Sequence, residues 1–137
     1  MKISSKGRYA VRVLVDLGIH QKEFVSISEI SERQGVSVKY LEQIMHLLVK
    51  GKLVTSLMGS NGGYKLSKPA KKCSIAEILA LTGDTPNLAP CQNGGKVCPN
   101  ANKCSTIGYW DALQKLIFDN LNKITLQDLI DKTYSRC

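Results

Sequence analysis

Three of the chain's five cysteines, Cys91, Cys98 and Cys104, fall within the fourteen residues CQNGGKVCPNANKC, with six residues in the first interval and five in the second. As thiolates they are soft ligands, suited to an iron–sulfur cluster or another soft metal. Structural zinc is normally held by ligand pairs two to four residues apart, which these intervals do not offer. An Fe–S cluster is therefore the first reading of the stretch. A thiol switch without a cluster, and a loop whose cysteines hold nothing, are its alternatives. Two Gly, three Asn and a Pro mark the stretch as a loop. A loop that a cofactor completes need not be packed without it.

The rest of the chain favours ligands over disulfides. The N-terminal MKISSKGRYAV is basic, but Arg12 and Asp16 interrupt any apolar signal core, and no apolar run is long enough to span a bilayer. These features point to a cytoplasmic protein with no membrane partner, in a compartment where thiols stay reduced. Five cysteines is also an odd number for a closed disulfide framework. An enzyme is not expected: there is no phosphate-cradling GxxxxGK[ST] loop, and the two histidines flank no nucleophile motif. The net charge of +8 is confined to the first half. Residues 1–72 hold 13 Lys and Arg against 5 Asp and Glu, whereas residues 73–137 hold 6 of each. That division suggests a polyanion-binding module followed by a neutral one with another task.

Caps and apolar spacing predict the elements that carry these groups. Ser4 or Ser5 caps a first helix on which Tyr9, Ala10, Val13, Leu14 and Leu17 share a face, with Arg8 and Arg12 one turn apart on its surface and free to face phosphate. Ser26 and Glu29 form a capping-box pattern, with Val25 and Ile30 at the staple positions, and Gly35 ends that helix near Gln34. Ser37 caps the next, with Val36 and Leu41 as staple; it buries Leu41, Ile44 and Leu48 and stops at Gly51. Two short helices across a Gly turn are a helix-turn-helix pattern or an ordinary helical hairpin. The residues after them decide between these: 53–57 and 64–66 read as strands around a 59–63 turn, and the whole is a winged helix-turn-helix. Lys39, Tyr40, Glu42, Gln43 and His46 then face outward. Gln43 suits an adenine edge and Glu42 a cytosine amine, while the wing backbone at Gly59, Ser60 and Asn61 can approach a phosphate or the minor groove.

Residues 68–72, with Pro69, read as a linker. Ser74 and Glu77 form another capping box opening a helix over 75–82, and Cys73 sits at its staple position opposite Ile78, as a small buried hydrophobe. Ser105 caps a long helix with the stripe Trp110, Leu113, Ile117, Leu121 and Ile124, widened by Leu116 and Phe118. The stripe must bury against a second copy of the chain, as a reader of palindromes requires, or against its own domain. Thr125 and Asp128 cap a last helix. The expected fold is mostly α: a winged helix-turn-helix DNA-binding domain over 1–72, a linker helix and cysteine loop over 73–104, and a dimerisation helix with a C-terminal helix over 105–137.

SKGRYAV, ISERQGVSVKYLEQI, the GGY of the wing, the three loop cysteines and ITLQDLI resemble the IscR-like family of bacterial iron–sulfur cluster regulators, over about residues 2–134. The resemblance implies a homodimeric winged-helix repressor on a pseudo-palindromic double-stranded operator, with targets in iron–sulfur assembly or cysteine metabolism. It implies a cluster, commonly [2Fe–2S], on Cys91, Cys98 and Cys104, and DNA contacts from Ser37, Lys39, Tyr40, Glu42, Gln43 and the wing near Gly59. Glu42 matches a position linked to discrimination between two operator types. Some relatives answer to a protein partner instead of a cluster. The sequence departs from the family twice. Met58 replaces an arginine common before the wing turn, and Ile107 and Arg8 stand where relatives place a histidine or an acidic fourth ligand. His20, His46, Cys73, Asp111 and Cys137 are the remaining protein candidates; Asp111 is expected about two helical turns past Cys104, Cys73 is expected to be buried, His46 is on the recognition helix and Cys137 ends a tail expected to be mobile. The expected fourth ligand is an exchangeable water or small thiol.

Overall fold

The first long helix, α1 (Ser5–Ile19), is the one the other elements pack around. Its Ala10, Val13, Leu14 and Leu17 are fully buried, and Ser4 caps it, with Oγ accepting from the Gly7 N–H at 3.0 Å. The structure, a computed structural model, describes residues 1–89, 91 and 98–132. α2 (Ile27–Gln34) begins in the expected capping box: Ser26 Oγ accepts from the Glu29 N–H and Glu29 Oε2 accepts from the Ser26 N–H. It ends where Gly35 turns left-handed at φ 64°, a conformation that a side chain would strain. α3 (Val38–Lys50) starts at the Ser37 cap. Ile30 from α2 and Leu41, Ile44, Met45 and Leu48 from α3 close on the apolar stripe of α1.

The wing is an antiparallel hairpin, β1 (Val54–Leu57) and β2 (Gly63–Leu66), with Val54 opposite Leu66 and Leu57 opposite Gly63. It is tied to the helical body through Val25, which exchanges backbone hydrogen bonds of 2.9 and 2.8 Å with Tyr64. A Cβ on Gly63 would fall on the Val25 carbonyl, so this crossing requires glycine there.

A 3₁₀ turn (Ala70–Lys72) leads to α4 (Ile75–Leu81); a second (Ala101–Lys103) precedes α5 (Ile107–Lys123), and α6 (Leu126–Ile130) follows. The chain returns on itself here. Ile75 N–H donates to the Ile124 carbonyl at 3.0 Å and Leu126 N–H to the Cys73 carbonyl at 2.8 Å. Leu126, Ile78 and Cys73 thus join the same core cluster as Leu14 and Leu41. Residues from 1–72, 73–104 and 105–137 all meet in it.

Several local expectations are corrected. Ser105 does not cap α5. The helix starts two residues later, behind Thr106, whose hydroxyl lies 3.3 Å from Cys104 Sγ and makes no cap bond. Ser74 does cap α4, but Glu77 does not return the bond, because Lys68 Nζ takes its carboxylate at 2.6 and 2.7 Å. Arg12 is not free for phosphate: its guanidinium donates to the side chain and the carbonyl of Gln34 and lies over the Tyr9 ring. The apolar stripe of α5 is only partly covered. Leu113, Ile117, Leu121 and Ile124 are half-buried, no residue of α5 is buried, and Tyr109, Leu116 and Phe118 are exposed.

One buried polar group organises the helix-turn-helix. Asp16 lies on the inner side of α1 at 4% exposure, and its carboxylate accepts from Arg33 Nε at 3.0 Å, Arg33 Nη2 at 2.7 Å and Gln34 Nε2 at 2.8 Å. Burial pushes its pKa up, but the bonds from Arg33 and Gln34 and the charges of Arg33 and His20 outweigh burial and hold it below its ordinary 3.8. The stability this supplies is complete above the unfolded value and is lost as the pH falls through the lower folded one. Asp16→Asn should cost about 2–4 kcal/mol at neutral pH, toward the low end for a broken buried pair because Arg33 can turn to water. The loss of stability on acidification below about pH 4 should be smaller in the variant than in the parent. Urea denaturation at both pH values checks this; a parallel pH dependence in the two proteins would remove Asp16 from the account.

Candidate nucleic-acid interface and thiol segment

The inward face of α3 is filled, and this decides what faces out. With Leu41, Ile44, Met45 and Leu48 buried, Lys39, Glu42, Gln43 and His46 are exposed together. They line a shallow hollow that also takes Leu47 and, from the first turn of α1, Lys6. Lys6 was missed in the sequence, where Arg8 stood out. Arg8 is exposed, with its guanidinium on Ser5 Oγ, but it lines a different hollow with Ile3, Tyr9, Ile75 and Leu121. Ser37 Oγ accepts from the Tyr40 N–H at 3.2 Å, which leaves its own proton free to donate. Tyr40 is half-buried, edge-on to Tyr9 with ring centroids 5.9 Å apart. In the wing, Gly59, Ser60 and Asn61 are exposed, and Met58, at 93%, is the most exposed large apolar side chain among the described residues. Ser60 and Asn61 border a hollow with Glu23, Ser26 and Glu29 at the entry to α2.

The thiols differ sharply from one another. Cys73, Cys91, Cys98 and Cys104 are all free of disulfides. Cys73 is buried, and burial together with the nearby Glu77 charge pushes its thiol up to about 11. Cys104 is exposed at the head of α5. Hydrogen bonds from the Thr106 hydroxyl and from the backbone of Thr106 and Ile107 hold its pKa below the ordinary value. Cys91 and Cys98 are half-buried, and the Ala101–Lys103 turn joins Cys98 to Cys104 through bonds from Ala101 N–H to the Cys98 carbonyl and from Cys104 N–H to the Ala101 carbonyl.

The chemistry of this donor set fits a soft metal or an Fe–S group: three free thiols on one segment, one biased toward thiolate. Among the described residues, no three His, Cys, Asp or Glu side chains gather as they would around a metal ion. Of the other ligand candidates, His20 Nδ1 lies 2.8 Å from the Asp16 carbonyl oxygen, His46 is on α3, Cys73 is in the core, Asp111 is on the exposed side of α5, and Cys137 lies outside the described residues.

The family model of Rrf2, described as an iron-dependent transcriptional regulator, matches residues 3–132. The chain belongs to the Rrf2 family. It is a DNA-binding transcriptional regulator and not an enzyme. It is 42% identical to the HTH-type transcriptional regulator IscR of Vibrio vulnificus over 131 residues, 95% of this chain and 77% of the relative, and 39% identical to IscR of Pectobacterium carotovorum over 132 residues, 96% and 80%. Among solved structures it is similar to T. potens IscR, with 31% identity, TM-score 0.74, and 97% and 88% of the two chains covered. The oxidised form of Staphylococcus aureus CymR superposes with TM-score 0.74 at 29% identity, over the whole of both chains. The mostly helical winged-helix architecture is thus that of the IscR and CymR structures. No helix among the described residues is long and apolar enough to cross a membrane.

The contrast between the thiols has a direct chemical consequence. In cluster-free protein at about pH 7.5, iodoacetamide should alkylate Cys104 well before Cys73, which should react only in denaturant. Peptide mass mapping over time reads the order. Comparable rates at the two sites would contradict these environments.

Proposed function

We propose that this Rrf2 regulator inserts α3 into the major groove of a pseudo-palindromic operator, as a homodimer joined through α5, and represses under control of an Fe–S cluster on Cys91, Cys98 and Cys104. The observation that carries the DNA reading is the two-sidedness of α3: one face is filled by the core, and the other presents Lys39, Glu42 and Gln43 side by side. Ser37 and Tyr40 stand at the helix end that usually enters the groove, and Arg8, away from the α3 hollow, and the wing residues Gly59, Ser60 and Asn61 are the proposed backbone contacts. Gln43→Ala should weaken operator binding by about 1–3 kcal/mol while sparing non-specific duplex binding. Equal losses on both would mean that Gln43 does not read bases.

The dimer reading rests on the half-covered Leu113, Ile117, Leu121 and Ile124 and the exposed Trp110, Leu116 and Phe118 of α5, an apolar face that its own domain leaves open. Sedimentation of the unmodified protein as a monomer at micromolar concentration would sink it.

The cluster reading rests on the three free thiols and on membership of a family described as iron-dependent. Such a cluster supplies a group that iron shortage or oxidants can remove. Ile107 cannot ligate, His20 is held at Asp16 and Cys73 is in the core, so the fourth site falls to an exchangeable water or small thiol. A role in iron–sulfur or sulfur metabolism is proposed on similarity to the IscR and CymR relatives. Serine at any one of the three cysteines should abolish the visible absorption of anaerobically prepared protein, whereas single substitutions of His20, Cys73, Asp111 or Cys137 should leave it nearly unchanged. A triple serine variant that retains the iron and sulfide of its parent would rule the assignment out. The second reading, a cluster-free thiol switch, is favoured by the exposure of Cys104 and by the hydrogen bonds that lower its pKa, and is the one left if purified protein carries no iron.

A further inference from the structure

The cations at the exposed face of α3 do not all belong to α3. Lys6, in the first turn of α1, borders the same hollow as Lys39, Glu42 and Gln43, and its ammonium is in no ion pair among the described residues. The turn that carries Lys6 is held from outside the helix. Asp84 Oδ1 accepts from the Ser4 N–H at 2.8 Å, and Oδ2 accepts from Ser4 Oγ at 2.7 Å and Thr82 Oγ1 at 2.6 Å. Ser4 Oγ in turn accepts from the Gly7 N–H at 3.0 Å, so carboxylate, cap and first turn form one run of bonds. A Cβ at position 7 would fall on Asp84 Oδ2, which explains the glycine of SKGRYAV by close approach. Burial pushes the Asp84 carboxyl up, but the bonds from Thr82 and Ser4 and the Lys6 charge outweigh it, so the group is ionised at neutral pH. Asp84 also opens the segment that leads to Cys91, and four residues on, Leu88 N–H donates to Gln114 of α5.

We propose that Lys6 contacts the DNA backbone beside α3, and that Asp84 is the positioning residue that holds this contact in place from the base of the thiol segment. The proposal rests on the reading of α3 as the groove-facing helix only for the identity of the ligand.

The test uses the full chain and a duplex enriched by the unmodified protein from a random-sequence pool, with affinity measured across a salt series. Lys6→Ala should reduce the salt slope by about one phosphate contact and weaken binding by about tenfold or less at 0.1 M salt. Asp84→Ala removes a negative charge, so simple electrostatics would tighten binding; the proposal instead expects weaker binding and the same loss of slope. The double variant should bind no worse than Lys6→Ala alone. Ser4→Ala, which alters no charge and keeps the backbone bond to Asp84, should shift the slope in the same direction by less, and it decides the matter if Asp84→Ala does not fold. Unchanged slopes in Asp84→Ala or Ser4→Ala, or additive effects of Lys6 and Asp84, would overturn the proposal. Gln43→Ala separates the two readings, because failure of α3 as the reader shows there as unaltered specificity, while the salt slope reports only Lys6 and Asp84.

Discussion

The placement of the helix-turn-helix depends on a carboxylate on the inner face of α1. Asp16 is ionised in a site where an unpaired charge would be costly, so α2 must end where Arg33 and Gln34 can reach it. The turn at Gly35 then carries the chain into α3 at a set distance from α1. Arg12, one turn earlier on α1, donates to the Gln34 carbonyl at 2.9 Å and satisfies an acceptor at the end of α2. A polar tether fixes direction in a way that apolar contact does not, and here it fixes the orientation of the outward face of α3.

The N-terminal end of α1 is tethered in the same manner, to Asp84. Both ends of the helix are therefore set by acids with several donors each, while its middle is held by Ala10, Val13 and Leu14. α6 completes the arrangement: Leu126 enters the core, and Ile130 lies where a Cβ on Gly18 would be. A helix so bound to α2, α4 and α6 packs the helix-turn-helix against the elements on either side of the thiol segment.

Environment separates cysteines that composition treats alike. Cys73, desolvated beside Glu77, is held as a neutral thiol, whereas Cys104, exposed and hydrogen-bonded at the head of α5, is biased toward the charged form. Ile107, a side chain that cannot ligate a metal, is the first residue of α5. The start of the helix brings backbone donors to Cys104.

The short-range signals were legible in the sequence because they act within one turn. The capping boxes at Ser26 and Thr125, the left-handed Gly35, the buried stripe of α3 and the hairpin after it form as their residues specify. Burial of Cys73 followed from its staple position, and the resemblance to a known family needed only motifs. Where a local pattern failed, a partner from beyond the element had usually intervened: Lys68 took the Glu77 carboxylate and Gln34 took Arg12, while at the head of α5 the Thr106 hydroxyl lies against the nearby Cys104 thiol and makes no cap bond. Asp16 read as no more than a break in an apolar run, and its pairing with Arg33 spans 17 residues; Asp84 meets Ser4 across 80. The place of Lys6 beside α3 depends on how two helices cross. Such juxtapositions are fixed by packing in three dimensions, to which no spacing along the chain corresponds, and only the tertiary structure decided them.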